Sequence, residues 1–216
     1  VGDYTAPDDW FIIAAGNRSI DRAAVHEMPT PVKNRFAHYE IEPNIDDWVA
    51  WAMNNNISST IISFLRYRPN HLHNLDAREN AFPTPRAWEM LDRKLPFIGP
   101  NTDDEFYGTA SLIGDGPAGE FIAFKKSVDK MPDLDQVIRS PYNTAVPDDP
   151  SVLFAVTGAL ASRAENSNFK DILTYGKRMP SEYQVVLVRD SLAKDRELMK
   201  TDAFRNWAQD NANVLL

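Results

Sequence analysis

Apolar and polar positions along the chain change rhythm once, near Pro43. Before it lie two short segments that read as strands. Trp10-Phe11-Ile12-Ile13-Ala14-Ala15 is an unbroken apolar run that stops at Gly16-Asn17, the pattern of a strand buried on both faces. Phe36 to Ile41 alternates apolar and polar residues up to Pro43, the pattern of a second strand. Between them, Thr30-Pro31-Val32-Lys33-Asn34-Arg35 has an N-cap residue, a proline at the first helical position and room for one short turn of helix.

After Pro43 the spacing becomes helical. Asp46-Asp47 open a helix through Trp48, Val49 and Ala52 that closes at Asn54-Asn55-Asn56. Ser58-Ser59 cap a second helix carrying Ile61, Ile62 and Leu65, which stops before Pro69. An irregular connection then leads to Thr84-Pro85, the start of a helix through Ala87, Trp88, Leu91 and Leu95. Further helices are predicted over Asp103 to Ile113, Ala118 to Val128, Leu134 to Ile138, Pro150 to Ala164, Phe169 to Met179, Ser181 to Leu198 and from Asp202 onward. The predicted fold class is therefore mainly α with a small β element of two strands. The predicted division is 1–43, a small α/β portion; 44–98, a helical domain; and 99–216, a helical extension.

Composition narrows the function classes. The chain has 216 residues, with 23 Lys plus Arg against 31 Asp plus Glu and a formal net charge of −8. That balance argues against a broad nucleic-acid surface, which needs a basic patch. There is no cysteine, so disulfide scaffolds, thiolate zinc sites and cysteine nucleophiles are excluded, in keeping with a reducing compartment and a cytoplasmic location. No apolar run reaches the roughly 18 residues of a membrane helix, and no signal peptide precedes the first run. The expectations are no membrane and no nucleic-acid partner.

Asn17 after the first apolar run, Lys33-Asn34-Arg35-Phe36 before the second, and Pro83-Thr84-Pro85-Arg86-Ala87-Trp88 in the helical part come in an order that resembles AAA+ ATPases of the MoxR-like branch, bacterial and phage type. The resemblance covers about residues 10 to 95. It implies that Asn17 is sensor 1, Arg35 the arginine finger acting on a neighbouring subunit's γ-phosphate, and Arg86 the sensor 2 residue on a helical lid over 44–98. It further implies ATP and Mg2+ as cofactors of the complete protein, a homo-oligomeric ring, and chaperone-like remodelling of an unidentified client protein. Arginine suits such roles because its forked, delocalised cation stabilises a phosphoryl transition state.

Two family features are missing. No G-x-x-x-x-G-K-[ST] phosphate loop occurs, and no apolar run ends in Asp-Glu. Residue 1 is Val rather than Met. The expectation is a C-terminal portion of an AAA+ ATPase without its nucleotide cradle, holding no tightly bound nucleotide and inactive alone. One rival reading is a free-standing helical interaction or adaptor module without nucleotide chemistry. Another is an unrelated all-α binding protein in which the motif matches are chance.

The remaining motifs read as structure. Gly114-Asp115-Gly116-Pro117-Ala118-Gly119 spells G-x-G-x-x-G but follows a helix, and Pro117 removes a donor, so a helix–turn–helix corner is expected. His71, His73 and Asp76 lack the spacing of a metal site and read as polar loop residues; no metal ligand is assigned. Trp48, Trp51 and Trp88 read as core, Arg66 and Arg68 as a solvated helix end, and Asp129 to Asp135 as a solvated loop. No G-x-S-x-G accompanies the Ser, Asp and His residues, so a hydrolase triad has no support.

Overall fold

The computed structural model describes residues 7, 9–16, 28–76, 78–99 and 102–211. The chain divides into two compact units, Val1–Ile41 and Glu42–Leu216.

In the first unit, the described residues form one short helix, α1 (Thr30–Lys33); its N-cap is Pro29 rather than the expected Thr30, with no side-chain cap, and Pro31 falls at the second helical position. The two predicted strands do not form. Residues 10–16 and 37–41 have no regular structure, and no strand or bridge occurs among the described residues. The fold is thus all-helical rather than mainly α with a β element, and no remnant of an AAA+ α/β core is present among those residues. The physical reason lies in what a strand requires. Its backbone donors and acceptors need a neighbouring strand, and an apolar run buried on both faces needs layers above and below. Neither is supplied by the described residues, and Phe11 and Ile13 stand 95% and 91% exposed.

The second unit is built from ten helices among the described residues: α2 (Ile45–Asn54), α3 (Ser59–Tyr67), α4 (Pro85–Lys94), α5 (Thr102–Ile113), α6 (Asp115–Val128), α7 (Leu134–Arg139), α8 (Pro150–Arg163), α9 (Phe169–Gly176), α10 (Ser181–Lys194) and α11 (Asp202–Asp210). Local chemistry explains their starts. Asn44 caps α2, Ser58 caps α3, Thr84 caps α4, Asp133 caps α7, Asp149 caps α8 and Thr201 caps α11, each accepting from a first-turn N–H. Pro85 and Pro150 sit at first helical positions, where a missing N–H costs nothing. Gly114, with φ 84°, turns the corner between α5 and α6. A Cβ there would lie 2.8 Å from the Ala81 carbonyl oxygen, so the glycine motif is the predicted corner.

Two hydrophobic clusters fill the unit. The first joins α2 through α6 around Phe64, whose ring lies 5.5 Å from Trp88, 5.3 Å from Phe121 and 5.6 Å from Phe124 between centroids. The second joins α7 through α11 around Leu160, Phe169, Ile172, Leu187 and Trp207. Helix α8 packs along both α3 and α10 and so belongs to both clusters. An aromatic series crosses with it, Phe124 to Tyr67 to Phe154 to Tyr183, with successive centroids 5.9, 6.1 and 4.9 Å apart. Trp48 and Trp88 are buried as expected, whereas Trp51 is 38% exposed at the surface of α2.

Candidate functional site: a cleft beside a buried ion pair

The corner between α2 and α3 is fixed by its own backbone. Asn56 adopts φ 57°, the left-handed conformation that ends helices. The Ile57 N–H donates to the Ala52 carbonyl at 3.0 Å, and the Asn56 N–H to the Met53 carbonyl at 3.3 Å. This paired closure is a Schellman motif, with the side chain of Ile57 buried beside Ala52. The next helix is held from outside as well: the Ser58 N–H donates to Asp92 Oδ1 of α4 at 2.9 Å.

Opposite this corner stand α8 and α10. Gly158 brings α8 against α3 so closely that a Cβ would lie 2.4 Å from Ser63 Oγ. At the far end of α8, Lys194 Nζ of α10 donates to the carbonyls of Ser162 at 2.6 Å and Ala164 at 3.2 Å. The space left between these elements is a cleft of about 520 Å³. Met53, Ile57, Ile62 and Ala161 give it an apolar wall, and Asp190 and Lys194 are the ionisable residues on its lining. Its size falls within the range of small-molecule sites, roughly 300–1,000 Å³.

Asp190 is buried, and Arg66 of α3 holds it in a two-pronged pair. Arg66 Nη2 donates to Oδ1 at 2.6 Å, and Nη1 donates to Oδ2. Such forked geometry is what makes an arginine–carboxylate pair strong enough to be tolerated inside a fold. Arg66 Nε is buried without a partner. The pair extends outward: Arg189 lies 3.9 Å from Asp190 and 2.9 Å from Asp46, so two carboxylates and two guanidiniums link α2, α3 and α10. The sequence reading placed Arg66 in solvent. The missed signal was its position four residues after Ile62, on the buried stripe of α3, with Asp190 on the Tyr183–Leu187 stripe of α10.

A second polar cluster lies where the chain leaves α3 and meets α6. Arg68 Nε donates to Glu120 Oε2 at 3.0 Å, and His71 Nε2 lies 3.1 Å from Glu120 Oε1. Burial alone would raise the Glu120 pKa, but the hydrogen bonds from His71 and Arg68 outweigh it and hold the carboxyl below its ordinary value. The His71 ring stacks on Phe64, and its buried Nδ1 has no partner. The Arg68 guanidinium also sits 4.2 Å over the Tyr67 ring. Arg68 and His71, read from sequence as a solvated helix end and a loop residue, are thus joined through one carboxylate. Asp135, expected in a solvated run, pairs with Arg163 at 2.7 Å.

Of the residues singled out by the ATPase resemblance, Asn17 lies outside the described residues. Arg35 is exposed just after α1, in the first unit. Arg86 is exposed at the second position of α4, in the other unit, with the Thr84 cap and Pro85 before it as predicted. Neither arginine lines the cleft. No family model matches the chain, and no match is found among curated proteins or among solved structures. The likeness to AAA+ ATPases therefore does not stand. No sheet exists among the described residues to carry a nucleotide, and no family model supports the motif order. The attributes drawn from that likeness, MoxR-like identity, ATP binding and hydrolase activity, fall with it. Among the described residues, no group of three or more His, Asp or Glu side chains is placed to hold a metal ion, and no helix is long and apolar enough to cross a membrane.

Proposed function

We propose that the chain is a helical interaction module that works without nucleotide chemistry. The observation that carries this reading is Trp10-Phe11-Ile12-Ile13, four consecutive large apolar residues that are 64%, 95%, 70% and 91% exposed. Scattered apolar residues on a surface need no explanation, but a contiguous run rimmed by polar sequence marks a contact surface. The partner is a protein whose apolar site takes an extended aromatic-aliphatic segment. Asp8, Asp9 and the acid-rich balance of the chain keep such a segment in solution until it docks.

The test is site-specific photocrosslinking in the native host, with a benzophenone side chain replacing Phe11. One defined adduct is expected, and it disappears when Trp10 and Ile13 are both changed to Asp. The same protein, titrated with Mg2+ and ATP, is expected to keep its thermal midpoint, because a ligand that binds only the folded state must raise it. An adduct pattern indifferent to Trp10→Asp/Ile13→Asp, or a midpoint that climbs with ATP, would overturn the reading.

A further inference from the structure

We infer that the cleft between the α2–α3 corner and helices α8 and α10 binds a monoanionic amphiphile, a carboxylate carrying an apolar chain. The charge on its lining decides the class. Asp190 and Lys194 are four residues apart on α10, acid before base, the spacing and order in which such residues ordinarily pair. Here they do not. Asp190 is paired with the forked Arg66, which offsets its negative charge. Lys194 turns instead to the carbonyls of Ser162 and Ala164, and among the described residues no carboxylate lies within ion-pair reach of it. The ammonium carries three protons, and two are used, so one donor and a whole positive charge remain at the mouth of the cleft. The two carbonyl bonds also fix that ammonium in place, so little side-chain freedom is lost when an anion arrives.

Behind it, Met53, Ile57, Ile62 and Ala161 offer apolar surface, with Met53 able to adjust to a chain of variable shape. The Schellman corner at Asn56 and the close contact at Gly158 make the walls rigid. An anion at one end and an unbranched hydrocarbon along the wall complement both features at once. An alcohol of equal length lacks the charge, and an amine carries the wrong one.

The experiment is isothermal titration of the full chain with decanoate, decanol and decylamine, each below its aggregation concentration. Decanoate is expected to saturate one site, with decanol about tenfold weaker, the size of effect given by a hydrogen bond to a charged group. Decylamine should show no saturable heat. Lys194→Gln keeps a carbonyl-binding amide but removes the charge, and should bring decanoate down to the level of decanol while leaving decanol unchanged. Ala193 is exposed at the cleft mouth, so Ala193→Leu narrows the entrance without disturbing the core, and should abolish binding of both with the thermal transition preserved. The proposal is overturned by absence of saturable decanoate binding, by equal binding of the amine, or by decanoate affinity that survives either substitution. None of these outcomes bears on the Trp10–Ile13 contact.

Discussion

Asp190 is the residue at which physical chemistry and position pull hardest against each other. A carboxylate 1% exposed in a helical body is stable only while its partner remains. Arg66 supplies two donors to it, yet leaves its own Nε buried and unpartnered, so the pair is well made on one side and incomplete on the other. Removing one partner strands a charge in low dielectric, whereas removing both leaves only a packing problem. Arg66→Met alone is therefore expected to lower stability by about 3–5 kcal/mol, and Arg66→Met/Asp190→Leu to return it to the wild-type level or above. Urea denaturation of the two single variants and the double variant checks this. A double variant as unstable as either single would show that the pair itself, not the stranded charge, holds α3 to α10, and one as unstable as the sum of the singles would show that the two residues act independently.

At the scale of elements, the crossing of α3 and α8 turns on two small residues. A Cβ at Gly158 would meet Ser63 Oγ at 2.4 Å but Ser63 Cβ at 3.8 Å, so the hydroxyl alone stands in the way. Gly158→Ala is expected to cost about 1–3 kcal/mol through overpacking. With Ser63→Ala added, the clash is gone and the helix preference of Ala over Gly, up to about 1 kcal/mol, is recovered. The double variant should thus melt at or above the wild-type temperature, and one that melts below Gly158→Ala would refute this account of the crossing. Such a contact is beyond sequence reading, because nothing in the run Val156-Thr157-Gly158-Ala159 says which serine it will face. What was legible was local. Ser58, Thr84 and Asp149 announce helix starts by the chemistry of their own side chains, and the apolar spacing of Ile61, Ile62 and Leu65 places their face inward. The strands failed for the converse reason. An apolar run such as Trp10 to Ala15 becomes a strand only when a neighbour pairs with it, and a one-dimensional pattern does not contain the neighbour. The site failed in the same way: Arg66 and Asp190 each sit on an apolar stripe as an oddity, and only their meeting across 124 positions makes sense of both.

For the helical unit as a whole, the question is whether two hydrophobic clusters make one folding unit or two. The first cluster gathers around Phe64 and Trp88, the second around Phe169 and Trp207, and a chain cut between them would leave each with a core of its own. Three features argue for a single unit. Helix α8 sends Ala155 into the first cluster and Val156 and Leu160 into the second, so it cannot unfold with one and remain with the other. The aromatic series from Phe124 to Tyr183 passes through it without a polar break. The Arg66–Asp190 pair joins α3 of the first cluster to α10 of the second, and parting the two would remove the attraction that offsets the burial of each charge. Residues 42–216 produced alone are therefore expected to unfold in one calorimetric transition, with van't Hoff and calorimetric enthalpies equal. At roughly 0.7 kcal/mol per residue near 60 °C, the enthalpy should be on the order of 120 kcal/mol. Arg66→Met should move the whole transition to lower temperature without splitting it, because the loss falls on the seam that both clusters share. If a second, separate transition emerged in that variant, the clusters would be autonomous, and the ion pair would be a clasp between domains rather than part of a common interior.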